Sequence, residues 1–197
     1  MATEKIIQAI QESKDGMNSL IENKEIINNI KKASDLIVKT ISNNSRIFSC
    51  GNGGSMCDAM HFSEELSGRF RANRKGLPSI SISDPSYLTC VANDFGFEFV
   101  FSRFLEANST KDDLLLAIST SGESKNIIKA CEYCKFNSIK LITLTGKQNS
   151  TMSKYADIDI CTPNGKYSDR VQEIHTSLIH IIVEMVEDLI FHDIKKI

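Results

Sequence analysis

The chain has 197 residues, 41% of them hydrophobic and 24% charged, and 23 Lys+Arg against 25 Asp+Glu give a formal net charge of −2. This is the composition of an ordinary globular protein with enough length for a substantial core; it excludes a global basic footprint for nucleic acid, and the local group Arg69, Arg71, Arg74 and Lys75 reads as a solvated loop. No apolar run approaches the roughly 18 residues of a membrane span, and the polar start Met1–Lys5 lacks an apolar signal core, so a cytoplasmic protein with neither membrane nor nucleic-acid partners is expected.

In residues 1–43, Ile6, Ile7, Ile10, Met17, Leu20, Ile21, Ile26, Ile27, Ile30, Ala33, Leu36, Ile37 and Ile41 recur at helical spacing and predict two helices. Asn43-Asn44-Ser45 is a turn signal. A short strand, Arg46–Cys50, runs into Gly51-Asn52-Gly53-Gly54-Ser55, and 55–69 has a helical pattern. Leu77–Ser83 is a second strand with Pro78 at its start, followed by helical stretches at 85–93 and 97–107. Asp113–Ser119 is an apolar strand of the fully buried kind, helix 124–136 follows, and Ile139–Thr145 is another buried strand closed by Gly146. A short helix near 150–155, a strand at 158–161 and a long helix over 168–192 complete the chain.

Strands alternating with helices predict an α/β fold: a doubly wound, mainly parallel sheet flanked by helices. Without repeats or long linkers, 1–197 is one domain, comprising an N-terminal helical arm (1–43) and an α/β core (44–197) with a long C-terminal helix. The arm is a candidate for packing against another subunit. Cys50, Cys57, Cys90, Cys131, Cys134 and Cys161 have no disulfide framework spacing and read as small, mostly buried hydrophobes. Cys131 and Cys134 form a C-x-x-C, but it lies well past the start of its helix, where a redox pair would sit, and no second pair completes a zinc knuckle.

Ligands of open parallel sheets bind beyond the C-terminal strand ends. Two polar loops fall there. In Gly51-Asn52-Gly53-Gly54-Ser55 the glycines permit close backbone approach and the next helix supplies free N–H groups, but the spacing is neither a dinucleotide fingerprint nor a Walker loop. In Ser119-Thr120-Ser121-Gly122-Glu123-Ser124, four hydroxyls precede a helix, more than capping requires, which suits a phosphate dianion. His61 and Glu65, at i and i+4, share a helix face and can meet a metal or substrate, or simply pair with each other. The last helix offers Gln172, Glu173, His175 and His180; helical geometry aligns Glu173 with His180 better than it does Gln172. Asn93-Asp94, before Gly96, reads unaided as a helix stop.

Together these segments resemble the phosphoheptose isomerases, a branch of the sugar isomerase domain family. The matching stretches are Cys-Gly-Asn-Gly-Gly-Ser (50–55), Asp-Ala-Met-His-Phe-Ser-Glu-Glu-Leu-Ser-Gly-Arg (58–69), Ala-Asn-Asp-Phe-Gly-Phe (92–97), Ile-Ser-Thr-Ser-Gly (118–122), Leu-Thr-Gly-Lys (144–147) and Arg-Val-Gln-Glu-Ile-His (170–175). The resemblance implies a homotetramer that binds a small sugar phosphate, with active sites near subunit contacts. It implies conversion of sedoheptulose 7-phosphate to a heptose 7-phosphate, first step of nucleotide-activated heptose synthesis for surface polysaccharide.

By position, Asn52, Gly53, Gly54, Asn93, Asp94 and Gln172 match substrate-binding residues, and Ser119, Thr120, Ser121 and Ser124 match the phosphate cradle. His61, Glu65, Gln172 and His180 match a zinc site, one ion per subunit. Glu65, also a substrate contact, and His180 match the proton-transfer pair that would carry an enediol mechanism. Two departures stand out: Glu123, where the family often has Asn, and Gln148-Asn149-Ser150, where it commonly has a Gly-Gly pair. An alternative on the same fold is a non-catalytic relative that binds the replication initiator; it lacks the acid/base pair that Glu65 and His180 supply here.

Overall fold

A computed structural model describes residues 1–163, 165 and 167–192. Helices α1 (Ala2–Glu22) and α2 (Lys24–Ser42) precede an alternating run: β1 (Ile47–Cys50), α3 (Gly54–Ser67), β2 (Ser79–Ser81), α4 (Pro85–Asp94), α5 (Val100–Asn108), β3 (Leu114–Ser119), α6 (Lys125–Phe136), β4 (Lys140–Thr145), β5 (Ile158–Cys161) and α7 (Ser168–Ile190). The five strands form one sheet, ordered β2-β1-β3-β4-β5, with every pairing parallel. The order reverses between β1 and β3, the switch point at which doubly wound sheets open a crevice.

The central strands explain both faces. Along β3, Leu114, Leu116 and Ile118 join a core with residues of α2, α3 and α7, while Leu115 and Ala117 join a second core with residues of α4, α5 and α6. Successive strand residues point to opposite faces, so a strand covered on both sides reads as a continuous apolar run. Both members of the C-x-x-C, Cys131 and Cys134, are fully buried in the second core with Cys50; burial pushes both thiols up, that of Cys134 to about 12, which suits structural rather than reactive thiols.

Several boundaries differ from the predicted ones for local reasons. Asn23, whose side chain accepts from the Glu25 and Ile26 amides, separates α1 from α2. The second of these helices is integral to the fold, since Ile26, Ile30, Ala33 and Ile37 enter the first core. By contrast, α1 buries only Leu20 and leaves Ile6, Ile7 and Ile10 at least 60% exposed. β2 is shorter than Leu77–Ser83: it is an edge strand whose head is set by Pro78, and Asp84, just past it, caps α4 by accepting from the Tyr87 amide. The 97–107 stretch opens as a 3-10 turn at Phe97–Phe99 before α5 begins. The connection after α3 is not wholly solvated: the Arg74 side chain is completely buried.

His175 lies on the inner face of α7, fully buried. Burial holds its imidazole down at about 4, opposed only by a backbone group of Thr145. An ordinary histidine titrates near 6.5, so between these values the unfolded chain binds a proton that the folded chain refuses. Stability is therefore full above about pH 6.5 and falls as pH drops toward 4, by roughly 2–3 kcal/mol between pH 7.5 and 4.5. Urea unfolding across that range should show the slope in the wild type and a much flatter profile in His175→Leu; equal slopes would reject the assignment.

Candidate active site

The β1 and β3 loops meet across the switch point. The side-chain amides of Asn52 and Asn126 pair reciprocally, each Nδ2 donating to the other Oδ1 at 2.8 Å. Asn126, on the first turn of α6 and 2% exposed, also accepts from the Ile127 amide. Sequence reasoning missed it: an asparagine in a helix's first turn is common, and only the fold reveals its partner. Gly53 takes φ 54°, ψ −123° at the head of α3, a conformation that disfavours other residues.

The 119–124 loop gathers its hydroxyls. Ser119 Oγ lies 3.3 Å from Ser124 Oγ and 3.5 Å from Ser121 Oγ, and it accepts from the Gly122 amide at 3.1 Å. Ser124 stands at the N-cap of α6, yet its side chain makes no capping bond. Its hydroxyl is thus not spent on the helix. Thr120 joins the loop through its carbonyl, which accepts from the Gly146 amide.

Glu123, the first departure from the family pattern, is bonded to Lys147 and Thr151, which flank the second, Gln148-Asn149-Ser150. The Glu123 carboxylate accepts from Thr151 Oγ1 at 2.6 Å, from Lys147 Nζ at 3.1 Å and from the Thr151 amide at 3.2 Å. The Thr151 hydroxyl, then Lys147, hold its carboxyl below the usual range. Its charge is taken up by Lys147 and Thr151, on either side of 148–150.

α3 and α7 bring the remaining groups together. His61 Nε2 and His180 Nε2 face each other at 2.7 Å, with Glu65 Oε1 3.6 Å from His61 Nε2. One ligand atom from each of these three residues lies within 4.8 Å of the others. His61 Nδ1 is 3.0 Å from Glu64, which orients that ring, and the Phe70 ring stacks on His180 with centroids 6.1 Å apart. Gln172 sits higher on α7, where its amide packs over Gly54; a Cβ there would fall 2.6 Å from the amide atoms. Glu173, favoured by helical alignment alone, is exposed and bound to Ser13 and Arg170 on the α1 side.

Asp58, one turn before His61, was passed over in the sequence. It is buried and accepts from Thr176 Oγ1 at 2.7 Å, tying α3 to α7. Burial pushes its carboxyl up, opposed by the Thr176 hydroxyl and by His61.

Asn93 and Asp94 are not brought to this group. Both are exposed at the C-terminal end of α4, where Asn93 Nδ2 donates to Asp94 Oδ1 at 2.8 Å. At the last two positions of α4, they lie nearly a helix length, about 13 Å, from its start.

The chain is similar to known proteins over most of its length. The sequence pattern of the SIS domain matches residues 10–146. The phosphoheptose isomerase of Glaesserella parasuis is 48% identical over 95% of this chain and 97% of its own length. That of Cytophaga hutchinsonii is also 48% identical, over 92% of this chain and 95% of its own. Among solved structures, the phosphoheptose isomerase of Neisseria gonorrhoeae superposes with a TM-score of 0.88 at 29% identity, covering 95% of this chain and 100% of that one. A phosphoheptose isomerase from Francisella tularensis gives 0.89 at 29% identity, covering 95% and 99%.

Proposed function

Because the chain belongs to the SIS domain family, in its phosphoheptose isomerase branch, we propose that it interconverts sedoheptulose 7-phosphate and D-glycero-D-manno-heptose 7-phosphate. It is a sugar-phosphate isomerase of the aldose–ketose type. The observation that carries the specific reading is the convergence of Glu65 and His180, from two helices, on one point.

In this assignment the hydroxyls of Ser119, Thr120, Ser121 and Ser124, with the first amides of α6, hold the phosphate. Asn52, Gly53, Gly54 and Gln172 hold the sugar between that loop and the reacting end. Gly54 and His61 are seven residues apart on α3, about 10 Å along the axis. That span suits an extended sugar with its phosphate at one end and its reacting carbons at the other. Glu65 takes the proton from C1 while the C2 oxygen gains one, giving an enediol. His180 serves the oxygens as acid and then base, and return of a proton to C2 with loss of the O1 proton yields the aldose.

Two imidazole nitrogens and a carboxylate oxygen form a donor set that fits a zinc ion. His61, Glu65, Gln172 and His180 would hold one zinc per subunit. Bound there, the metal supplies a Lewis acid at the sugar carbonyl.

The outward apolar residues of α1, with Phe95 and Phe97 beside Asn93 and Asp94, favour a homotetramer in which the latter pair serves a site shared between copies. Among the described residues no helix is long and apolar enough to cross a membrane, in keeping with a cytoplasmic enzyme at the first step toward nucleotide-activated heptose for surface polysaccharide. A non-catalytic role in binding a replication initiator finds no support in a chain that keeps both Glu65 and His180.

The test is turnover of sedoheptulose 7-phosphate by chelated protein, before and after zinc is returned. Activity that disappears on chelation and returns with zinc is expected. No activity in correctly assembled, zinc-loaded protein would reject the substrate, and full activity without metal would reject the zinc site.

A further inference from the structure

One fully buried ion pair lies at the far end of α3. The Arg74 side chain is 0% exposed and that of Glu187 3%, and Arg74 Nε donates to Glu187 Oε2 at 2.7 Å. A guanidinium removed from water must place its donors, and the remaining donors of Arg74 reach backbone carbonyls. Nη2 donates to the Glu65 carbonyl at 2.7 Å and Nη1 to the Leu66 carbonyl at 2.8 Å. These carbonyls belong to the last four residues of α3, which have no partner within the helix, and a cation there complements the helix dipole. Glu187, on α7, also accepts from the Arg71 and Ala72 amides at 3.2 and 2.9 Å. The α7 carboxylate therefore holds the loop after α3, and the loop's arginine holds the end of α3.

The same loop carries Phe70, which stacks on His180. Arg71 beside it is ion-paired with Glu184, one turn past His180 on α7. Glu65 is thus held through its own carbonyl and His180 through the face of its ring, by one loop anchored on one buried pair.

We propose that Arg74 and Glu187 are positioning residues for the isomerase reaction: they fix the end of α3 against α7 and so set the separation of Glu65 from His180. The inference rests on the assignment of those two residues above and adds a pair that touches neither substrate nor metal. Stability and positioning are separable here, because buried ion pairs can often be replaced by apolar residues of similar volume without loss of stability.

The experiment compares wild type with Arg74→Lys and with the double variant Arg74→Met/Glu187→Leu, measuring melting temperature, kcat and KM for sedoheptulose 7-phosphate. Lysine keeps the charge but cannot serve the carboxylate and two carbonyls in one plane. Both variants should lose about 10–100-fold in kcat, the scale of other supporting partners around catalytic sites, with KM changed by no more than about threefold. The double variant should show that loss even where its melting temperature equals that of the wild type. Wild-type kcat in the double variant would overturn the proposal. If the double variant does not fold, Glu187→Gln, of the same shape but uncharged, must show the same loss in kcat, and wild-type kcat there would overturn it equally. Glu65→Gln run alongside separates the two levels: if it stays active, the acid/base assignment fails, whereas an inactive Glu65→Gln beside a fully active double variant sinks the positioning role alone.

Discussion

Glu65→Gln is expected to lower kcat by about a thousandfold or more while leaving fold and assembly intact. Removing a general base from proton transfer typically costs 10²–10⁴-fold. The substitution preserves volume, and an amide oxygen can still accept hydrogen bonds, but the amide cannot take a proton from carbon. Glu65 lies at the end of α3 with its side chain 16% exposed, enough for substrate access, and the backbone that holds it is unchanged by the substitution. Turnover measured with circular dichroism and sizing of the same preparation checks the expectation. Activity within tenfold of wild type would mean that another group removes the C1 proton.

Gly51→Ala should have the second largest effect, on both stability and kcat/KM. A Cβ at Gly51 would fall inside the contact radius of the Ser55 carbonyl and 2.9 Å from the Met56 amide nitrogen. These are backbone atoms of the first turn of α3, not the end of a side chain that can swing aside. The helix start would have to move, carrying Asn52 off its pairing with Asn126 and shifting the origin of the helix that bears His61 and Glu65. Overpacking against fixed atoms costs about 1–3 kcal/mol, and a misplacement near 1 Å can cost about a hundredfold in rate. Urea unfolding together with kcat/KM reads both. A variant with wild-type stability and rate would show that the β1–α3 loop has slack that the geometry denies. Gly53 is the contrasting neighbour: a Cβ there meets nothing within 4 Å, and only its positive φ resists substitution.

The sheet was legible because its strands are buried on both faces. Asp113–Ser119 and Ile139–Thr145 are continuous apolar runs, and burial of every residue of β3 is what such a run means. The polar loops at helix starts were legible for a related reason: hydroxyls and glycines beyond what a cap or turn needs stand out against the chain around them. Pairings distant in sequence were less so. Nothing in the sequence joins Asn52 to Asn126 or Asp58 to Thr176, because each is an ordinary polar residue until the strand order sets β1 beside β3 and α3 beside α7. Helical periodicity alone favoured Glu173 over Gln172, and the position of α1, which engages Glu173, decides against it. Arg74 was grouped with solvated arginines since charge runs usually face water; its burial depends on Glu187, more than a hundred residues away. The partners of Glu123 appear only in three dimensions, where Lys147 and Thr151, on either side of Gln148-Asn149-Ser150, supply the lysine and the hydroxyl that engage it.

The central claim is that Glu65 and His180 move a proton between adjacent carbons of a sugar phosphate, and the most direct measurement follows sedoheptulose 7-phosphate by NMR with the zinc-loaded enzyme in deuterium oxide. The account predicts a heptose 7-phosphate carrying deuterium on C2, drawn from solvent through the enediol. Product that reaches equilibrium with no deuterium on C2 would indicate direct hydride transfer between the carbons and contradict it.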